Sequence, residues 1–169
     1  MKVGIIADTH DRLPFIDEAV QRLNREEVGL VLHAGDYIAP FVTAHFKPLK
    51  AKMIGVFGNN DAEKELLQRK FGDMGAQVRG KFAEVKVDGL KMALLHGEEI
   101  ELLDSVVNTN YYDVVVYGHT HQAESRKEDR TLVLNPGEVC GYLSGRATIV
   151  VLDTQTMDVR MIQLSVSDA

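Results

Sequence analysis

The chain has a single cysteine, Cys140, among 169 residues, so no disulfide can close within it. A reducing compartment, the cytoplasm, is the expected setting. Tryptophan is absent and there are only four prolines, which excludes a proline-rich, extended architecture. No apolar run approaches the ~20 residues needed to span a bilayer, and the N-terminus has no signal-peptide pattern, so no membrane partner is expected. Cations are in deficit: 19 Lys and Arg stand against 25 Asp and Glu, a formal net charge of -6. A broad basic face for gripping nucleic acid is therefore not expected. The deficit does not bar a small anionic substrate from a metal site, because bound cations add their own local charge.

What remains is an ordinary globular balance, with 45% hydrophobic and 26% charged residues. The length predicts one domain over residues 1–169 with a real core. Residues 2–7 read as a buried strand. Asp11 and Pro14 mark a helix start, with Ile16, Ala19, Val20 and Leu23 at helical spacing and Asp17 and Glu18 in its first turn. Strands at 28–33 and 51–57 alternate with helices at 39–46 and 62–71, a rhythm that predicts a parallel sheet with helices on it. Strands at 81–87 and 90–95 flank Asp88-Gly89, a two-residue hairpin signal. A helix at 100–108 and a strand at 113–117 follow. Further strands at 122–127 and 131–134, then 147–153 and 157–164, make the second half mostly antiparallel β. Two packed sheets with helices outside would bury all of these strands.

Five short motifs each follow an apolar strand. They are Asp8-Thr9-His10, Gly35-Asp36, Gly58-Asn59-Asn60-Asp61, His96-Gly97 and Gly118-His119-Thr120-His121. Loops beyond strand carboxyl ends converge on a ligand crevice in open α/β sheets, so the five point to one polar site. The ligand-type residues are two Asp, four His and one Asn: Asp8, His10, Asp36, Asn59, His96, His119 and His121. Carboxylate and imidazole together suit Mn²⁺, Fe²⁺, Zn²⁺ or Ni²⁺, and Mn²⁺ is the expected ion. Seven ligands exceed what one ion needs and suffice for two if a carboxylate bridges. Two ions ~4 Å apart can hold a bridging hydroxide and clamp the oxygens of an in-line phosphoryl displacement.

The ordered set D-x-H, G-D, G-N-x-D, H-G and G-H-T-H resembles the calcineurin-like metallophosphoesterase superfamily. The tail, with Asn135-Pro136-Gly137, Gly141-Tyr142 and Ser144-Gly145-Arg146, is similar to its small archaeal and bacterial phosphodiesterases. The resemblance implies a four-layer α/β/β/α sandwich and phosphodiester hydrolysis by a metal-bound hydroxide. It also implies a division of ligands. Asp8, His10, Asp36 and His121 would hold one ion, and Asp36, Asn59, His96 and His119 the other, with Asp36 bridging. Many members carry His, oriented by the acid after it, where this chain has Asn60 followed by Asp61. Asn can donate a hydrogen bond but is not a general acid near neutral pH.

Asn135, Gly137 and Arg146 are candidate substrate contacts. His33 and His45 read as packing or supporting histidines, and Cys140 as a packing residue. Two other functions fit the same resemblance. One is a non-catalytic scaffold, as in the similarly folded retromer subunit; the other is a phosphomonoesterase or nucleotidase. A homodimer or higher homo-oligomer is compatible with the sequence.

Overall fold

The computed structural model describes residues 1–166. The first part alternates as expected: β1 (Lys2–Ile6), α1 (Leu13–Arg25), β2 (Leu30–His33), α2 (Thr43–Phe46), β3 (Lys52–Gly55), α3 (Lys64–Gly72) and β4 (Gln77–Val78). Then come β5 (Phe82–Val87), β6 (Leu90–Leu95), α4 (Ile100–Asn108), β7 (Val114–Val116), β8 (Ala123–Glu128), β9 (Thr131–Pro136), β10 (Thr148–Asp153) and β11 (Val159–Gln163). One sheet has the order β11-β10-β1-β2-β3-β4 and the other β5-β6-β7-β9-β8.

Period-2 alternation along the strands assigns each side chain to a layer. Ile5, Leu30, Leu32, Leu94, Val114 and Val116 pack between the two sheets. Ile6 and Val31 point the other way, against Ile16, Val20 and Leu23 of α1 and Leu67 and Phe71 of α3. Val115, Ala93 and Val133 face Leu103 and Val107 of α4. The fold is thus a four-layer helix–sheet–sheet–helix sandwich.

Several details refine the expectation or depart from it. The second half is mostly antiparallel, as expected, but β6, β7 and β9 run parallel at the heart of their sheet. The crossover through α4 carries the chain back to start β7 beside β6, as parallel neighbours require. The last hairpin leaves that sheet, and β10 pairs antiparallel with β1, closing the first sheet with residues far apart in sequence. Finally, α1 starts at Leu13 behind Arg12, so no acidic residue lies in its first turn. The two-residue β4 was not foreseen; it is too short to leave a periodic signal.

Candidate metal centre

Chain direction gathers the motifs. β1, β2 and β3 are parallel and release Asp8, Asp36 and Asn59 at one end; the parallel β6 and β7 release His96 and His119 opposite them. Backbone bonds stitch the loops together: Asp8 N–H donates to Gly35 O at 3.0 Å, His10 N–H to Asp36 O at 3.0 Å, and Gly118 N–H to His96 O at 2.9 Å. A side chain at Gly58 would run into the Asp36 carboxylate, so only glycine lets the third loop close over the second.

The backbone itself marks the site. Asp8, His10, Asp36, His119 and His121 have φ between 45° and 64°. Left-handed backbone at a non-glycine residue costs on the order of 1–3 kcal/mol and persists only where its surroundings enforce it. Five of the seven expected ligands share it, so the strain is concentrated where the chemistry is expected.

Asp36 is the centre of the cluster. Its Oδ2 lies 3.8 Å from His10 Nε2 and 3.4 Å from His96 Nε2. Asn60 holds it from outside, with its backbone N–H on Oδ1 at 2.9 Å and Nδ2 on Oδ2 at 2.7 Å. Asn59 Oδ1 sits 3.0 Å from both His96 Nε2 and His119 Nδ1. On the other side, Asp8 Oδ1 lies 3.5 Å from His121 Nε2, and Asp8 Oδ2 accepts from His119 N–H at 3.0 Å.

Outer partners set the ring tautomers. His96 Nδ1 donates to Ala34 O at 2.7 Å, and His121 Nδ1 faces Glu138 Oε2 at 2.6 Å. In each neutral ring the lone pair therefore lies on Nε2, turned toward the carboxylates. His96 Nε2 would then oppose the Asn59 oxygen lone pairs at 3.0 Å, a contact that calls for a proton or a cation. Asp8 Oδ1 and His10 Nε2 are buried with no hydrogen-bond partner, although buried polar atoms are seldom left unpaired. Carboxylate, imidazole and amide oxygen donors crowded together with such orphaned atoms fit divalent cations. Asp8, His10 and Asp36 converge within coordination distance of one another, as do His10, His121 and Cys140.

The electrostatics agree. Burial, reinforced by the Asp36 charge, pushes Asp8 up to about 7 despite His96 and His121. Burial works against a charged His96, but the hydrogen bond and charge of Asp36 outweigh it and hold His96 up at about 9. Burial would likewise raise Asp36, yet the bond to His96, its charge and the two bonds from Asn60 hold Asp36 well below the usual carboxylate range. Burial lowers both His10 and His119. Asp36 thus favours positive charge at His96, whereas burial disfavours it on the His10 and His119 rings.

The supporting residues divide differently from the sequence reading. Asp61 does not orient Asn60; its carboxylate accepts the backbone N–H groups of Gly58, Asp36, Tyr37 and Ile38 at 2.6–3.0 Å. It thereby clamps the Asp36 turn. Asn135 and Gly137 are buried and do not open onto the site. Asn135 Nδ2 instead donates to Gly118 O at 2.8 Å and Thr120 Oγ1 at 3.0 Å, which shapes the His119–His121 turn. Gly137, at φ 77°, lies tight against Thr148. Arg146 is exposed.

His33 is saturated: Nδ1 accepts from Gly35 N–H, and Nε2 donates to Thr9 Oγ1, each at 3.1 Å. Burial pushes it down to about 3, so it stays neutral. His45 bonds Asp17 at 2.8 Å, joining α2 to α1. The Cys140 thiol donates to Glu138 at 3.0 Å and, through burial and that carboxylate, is held well above its ordinary range.

Glu138 went unnoticed in the sequence. It is fully buried and accepts from His121, Cys140, the backbone of Tyr142, Leu143 and Ser144, and the Ser144 hydroxyl. The available signal was an isolated acid beside the apolar Val139-Cys140 pair, which is unusual unless the acid is bonded on all sides.

A two-sheet α/β sandwich with a carboxylate–imidazole cluster across its strand ends defines the structural class. The chain belongs to the calcineurin-like phosphoesterase superfamily, whose domain matches residues 1–157. It is similar to phosphodiesterase MJ0936 of Methanocaldococcus jannaschii, with 42% identity over 97% of this chain and 99% of that protein. A solved structure of an archaeal phosphodiesterase superposes with a TM-score of 0.93 at 42% identity, covering 97% of this chain and all of that one. Vps29 of Entamoeba histolytica, solved with zinc, shares the fold at a TM-score of 0.72 and 20% identity, covering 100% of this chain and 95% of that one. Among the described residues, no helix is long and apolar enough to cross a membrane.

Proposed function

We propose that the chain is a metal-dependent phosphodiesterase with a two-cation site. Asp8, His10, Asp36 and His121 hold one divalent cation; Asp36, Asn59, His96 and His119 hold the other, and Asp36 is shared. The observation that carries this reading is the position of Asp36 Oδ2, 3.8 Å from His10 Nε2 on one side and 3.4 Å from His96 Nε2 on the other. When bound, such cations supply Lewis acidity toward phosphoryl oxygens and a water of lowered pKa; the donor set is compatible with Mn²⁺, Ni²⁺, Zn²⁺ and Fe²⁺, and Mn²⁺ is the ion proposed. The relatives named phosphodiesterase support a diester as substrate.

The remaining roles belong to the chain itself. The strained loops hold the donors in place before substrate arrives, so little reorganisation is needed during reaction. The exposure of Asn60 at the rim, with its amide on Asp36, supports a role as hydrogen-bond donor to a departing oxygen without delivery of a proton. Arg146 lines a hollow of about 490 Å³ beside His121 and makes no ion pair among the described residues, leaving its guanidinium free for an anionic group.

Hydrolysis of bis(p-nitrophenyl) phosphate and of p-nitrophenyl phosphate by chelator-stripped and Mn²⁺-reloaded protein tests the proposal. Activity on the diester should vanish on stripping, return with Mn²⁺ and exceed that on the monoester. Preference for the monoester would make the chain a phosphomonoesterase. Inertness toward both, with metal bound, would leave the scaffold role.

A further inference from the structure

Large apolar side chains are normally folded inward, yet the loop after β9 displays two of them at the edge of the metal centre. Tyr142 is 53% exposed and its successor Leu143 is 76% exposed. Neither is loosely held. Glu138, entirely buried, accepts the N–H groups of Tyr142, Leu143 and Ser144 at 2.5–3.2 Å and the Ser144 hydroxyl at 2.7 Å. Burying a carboxylate is costly unless it is bonded on every side, and here most of those bonds fix this one loop. The base of the loop is fastened to the site as well, since Cys140 N–H donates to Asp8 O at 3.0 Å.

The Tyr142 ring is oriented too. It stands edge-on to the His10 ring at 6.1 Å between centroids, and its hydroxyl bonds Asp11 Oδ1 at 3.2 Å. The Arg12 guanidinium lies 5.3 Å from the ring centroid and also donates to Cys140 O. These contacts give the ring a preferred orientation while half of it stays open to solvent. Tyr142 therefore presents an aromatic surface within a ring's width of His10.

We propose that loop 140–146 recognises one ester arm of the substrate, with Tyr142 as a stacking platform for a planar ring on that arm, as in a nucleoside or an aryl ester. The inference rests on the phosphodiesterase reading above and narrows it to diesters with a ring-bearing arm. With phosphorus at the metal centre, the arm that stays on phosphorus, extended on the His10 side, meets Tyr142 first. Stacking of a base on an aromatic side chain contributes roughly 1–3 kcal/mol, enough for about a tenfold preference or more. Tyr142 acts on binding of the arm and takes no part in the displacement.

The test uses Mn²⁺-loaded protein and three p-nitrophenyl phosphodiesters that share one leaving group. Their second arms are methyl, phenyl and 5′-thymidyl. Wild type should favour both ring-bearing arms over methyl. Tyr142→Ala should raise KM for them, so that the ring-to-methyl ratio of kcat/KM falls about tenfold. Tyr142→Phe, which keeps the ring and loses the hydroxyl, should retain the ratio. An unchanged ratio in Tyr142→Ala overturns the platform. So does a preference for the thymidyl arm alone that survives Tyr142→Ala, which would assign recognition to the sugar. Calorimetric binding of thymidine 5′-phosphate and of methyl phosphate gives a readout independent of turnover. Loss of the nucleotide's advantage in Tyr142→Ala supports the platform even if no diester is hydrolysed, in which case only the phosphodiesterase reading fails. An advantage equal in both proteins overturns it.

Discussion

The Glu138 carboxylate meets Nδ1 of His121 at 2.6 Å, and the far nitrogen of the same ring lies 3.5 Å from Asp8 Oδ1. The imidazole is therefore held between two buried carboxylates. Glu138 sets the tautomer, and Asp8 shares the face on which a cation would bind. Burial opposes ionisation of Glu138, but the bonds from Cys140, Ser144 and His121 outweigh it and hold its pKa down at about 2. It is thus a permanent anion behind His121.

Glu138→Gln keeps an acceptor of similar shape but removes that charge. Partners that orient a metal-binding histidine typically contribute 10–100-fold in metal affinity. Titration with Mn²⁺, followed by calorimetry or by electron paramagnetic resonance of the free ion, should show one class of site weakened by about that factor and the other class little changed. Equal weakening of both would mean that Glu138 acts through general destabilisation.

Asp36→Asn should impair both of the proposed cation sites at once, because the same carboxylate faces His10 and His96. Elemental analysis of protein loaded with Mn²⁺ should give two ions per chain for wild type and fewer than one for the variant. A variant that keeps one full-occupancy ion would show that Asp36 serves a single site.

Asn60→His should alter dependence on the leaving group. The departing oxygen gathers negative charge in the transition state, and a general acid at this position typically contributes ~10²–10⁴-fold. Wild-type rates should fall steeply as leaving-group pKa rises across a series of aryl and alkyl diesters. Asn60→His should flatten that slope and raise rates on the poorest leaving groups. Parallel slopes at equal metal content would remove position 60 from the leaving-group path.

His33 makes the fold acid-sensitive. Its pKa drops from 6.5 in the unfolded chain to about 3 in the folded one because burial disfavours the imidazolium. The unfolded state then binds more protons than the native state. The contribution of His33 to stability is present above pH 6.5 and is lost as pH falls toward 3. Within that window a single group changes stability by about 1.4 kcal/mol per pH unit. Urea denaturation at several pH values between 6.5 and 4 should show a shallower slope for His33→Gln than for wild type. Identical slopes would mean that the ring can be protonated in the folded protein.

Much of this molecule is written locally. The alternation in Leu30-Val31-Leu32 already implies a strand with two buried faces, and the spacing of Ile16, Ala19, Val20 and Leu23 a helix with one. The metal-ligand candidates were legible because each stands directly after an apolar strand. Strand direction alone sends such residues to a common end, so their convergence needed no knowledge of individual contacts.

Contacts that depend on which loops the topology brings together could not be read this way. In the sequence Asp61 stands as the acid behind Asn60, but the approach of the β2 and β3 loops turns its carboxylate onto four amides and away from Asn60. Asn135 reads in the sequence as a candidate substrate contact, yet β9 lies beside β7 and directs its amide inward to Gly118. The partnership of Glu138 with His121, and the placement of Tyr142 beside His10, arise because β10 crosses to the first sheet and draws the preceding loop over Asp8. Ligand type and strand polarity are encoded within a few residues, whereas the hydrogen bonds that orient each ligand join groups whose proximity is set by sheet order.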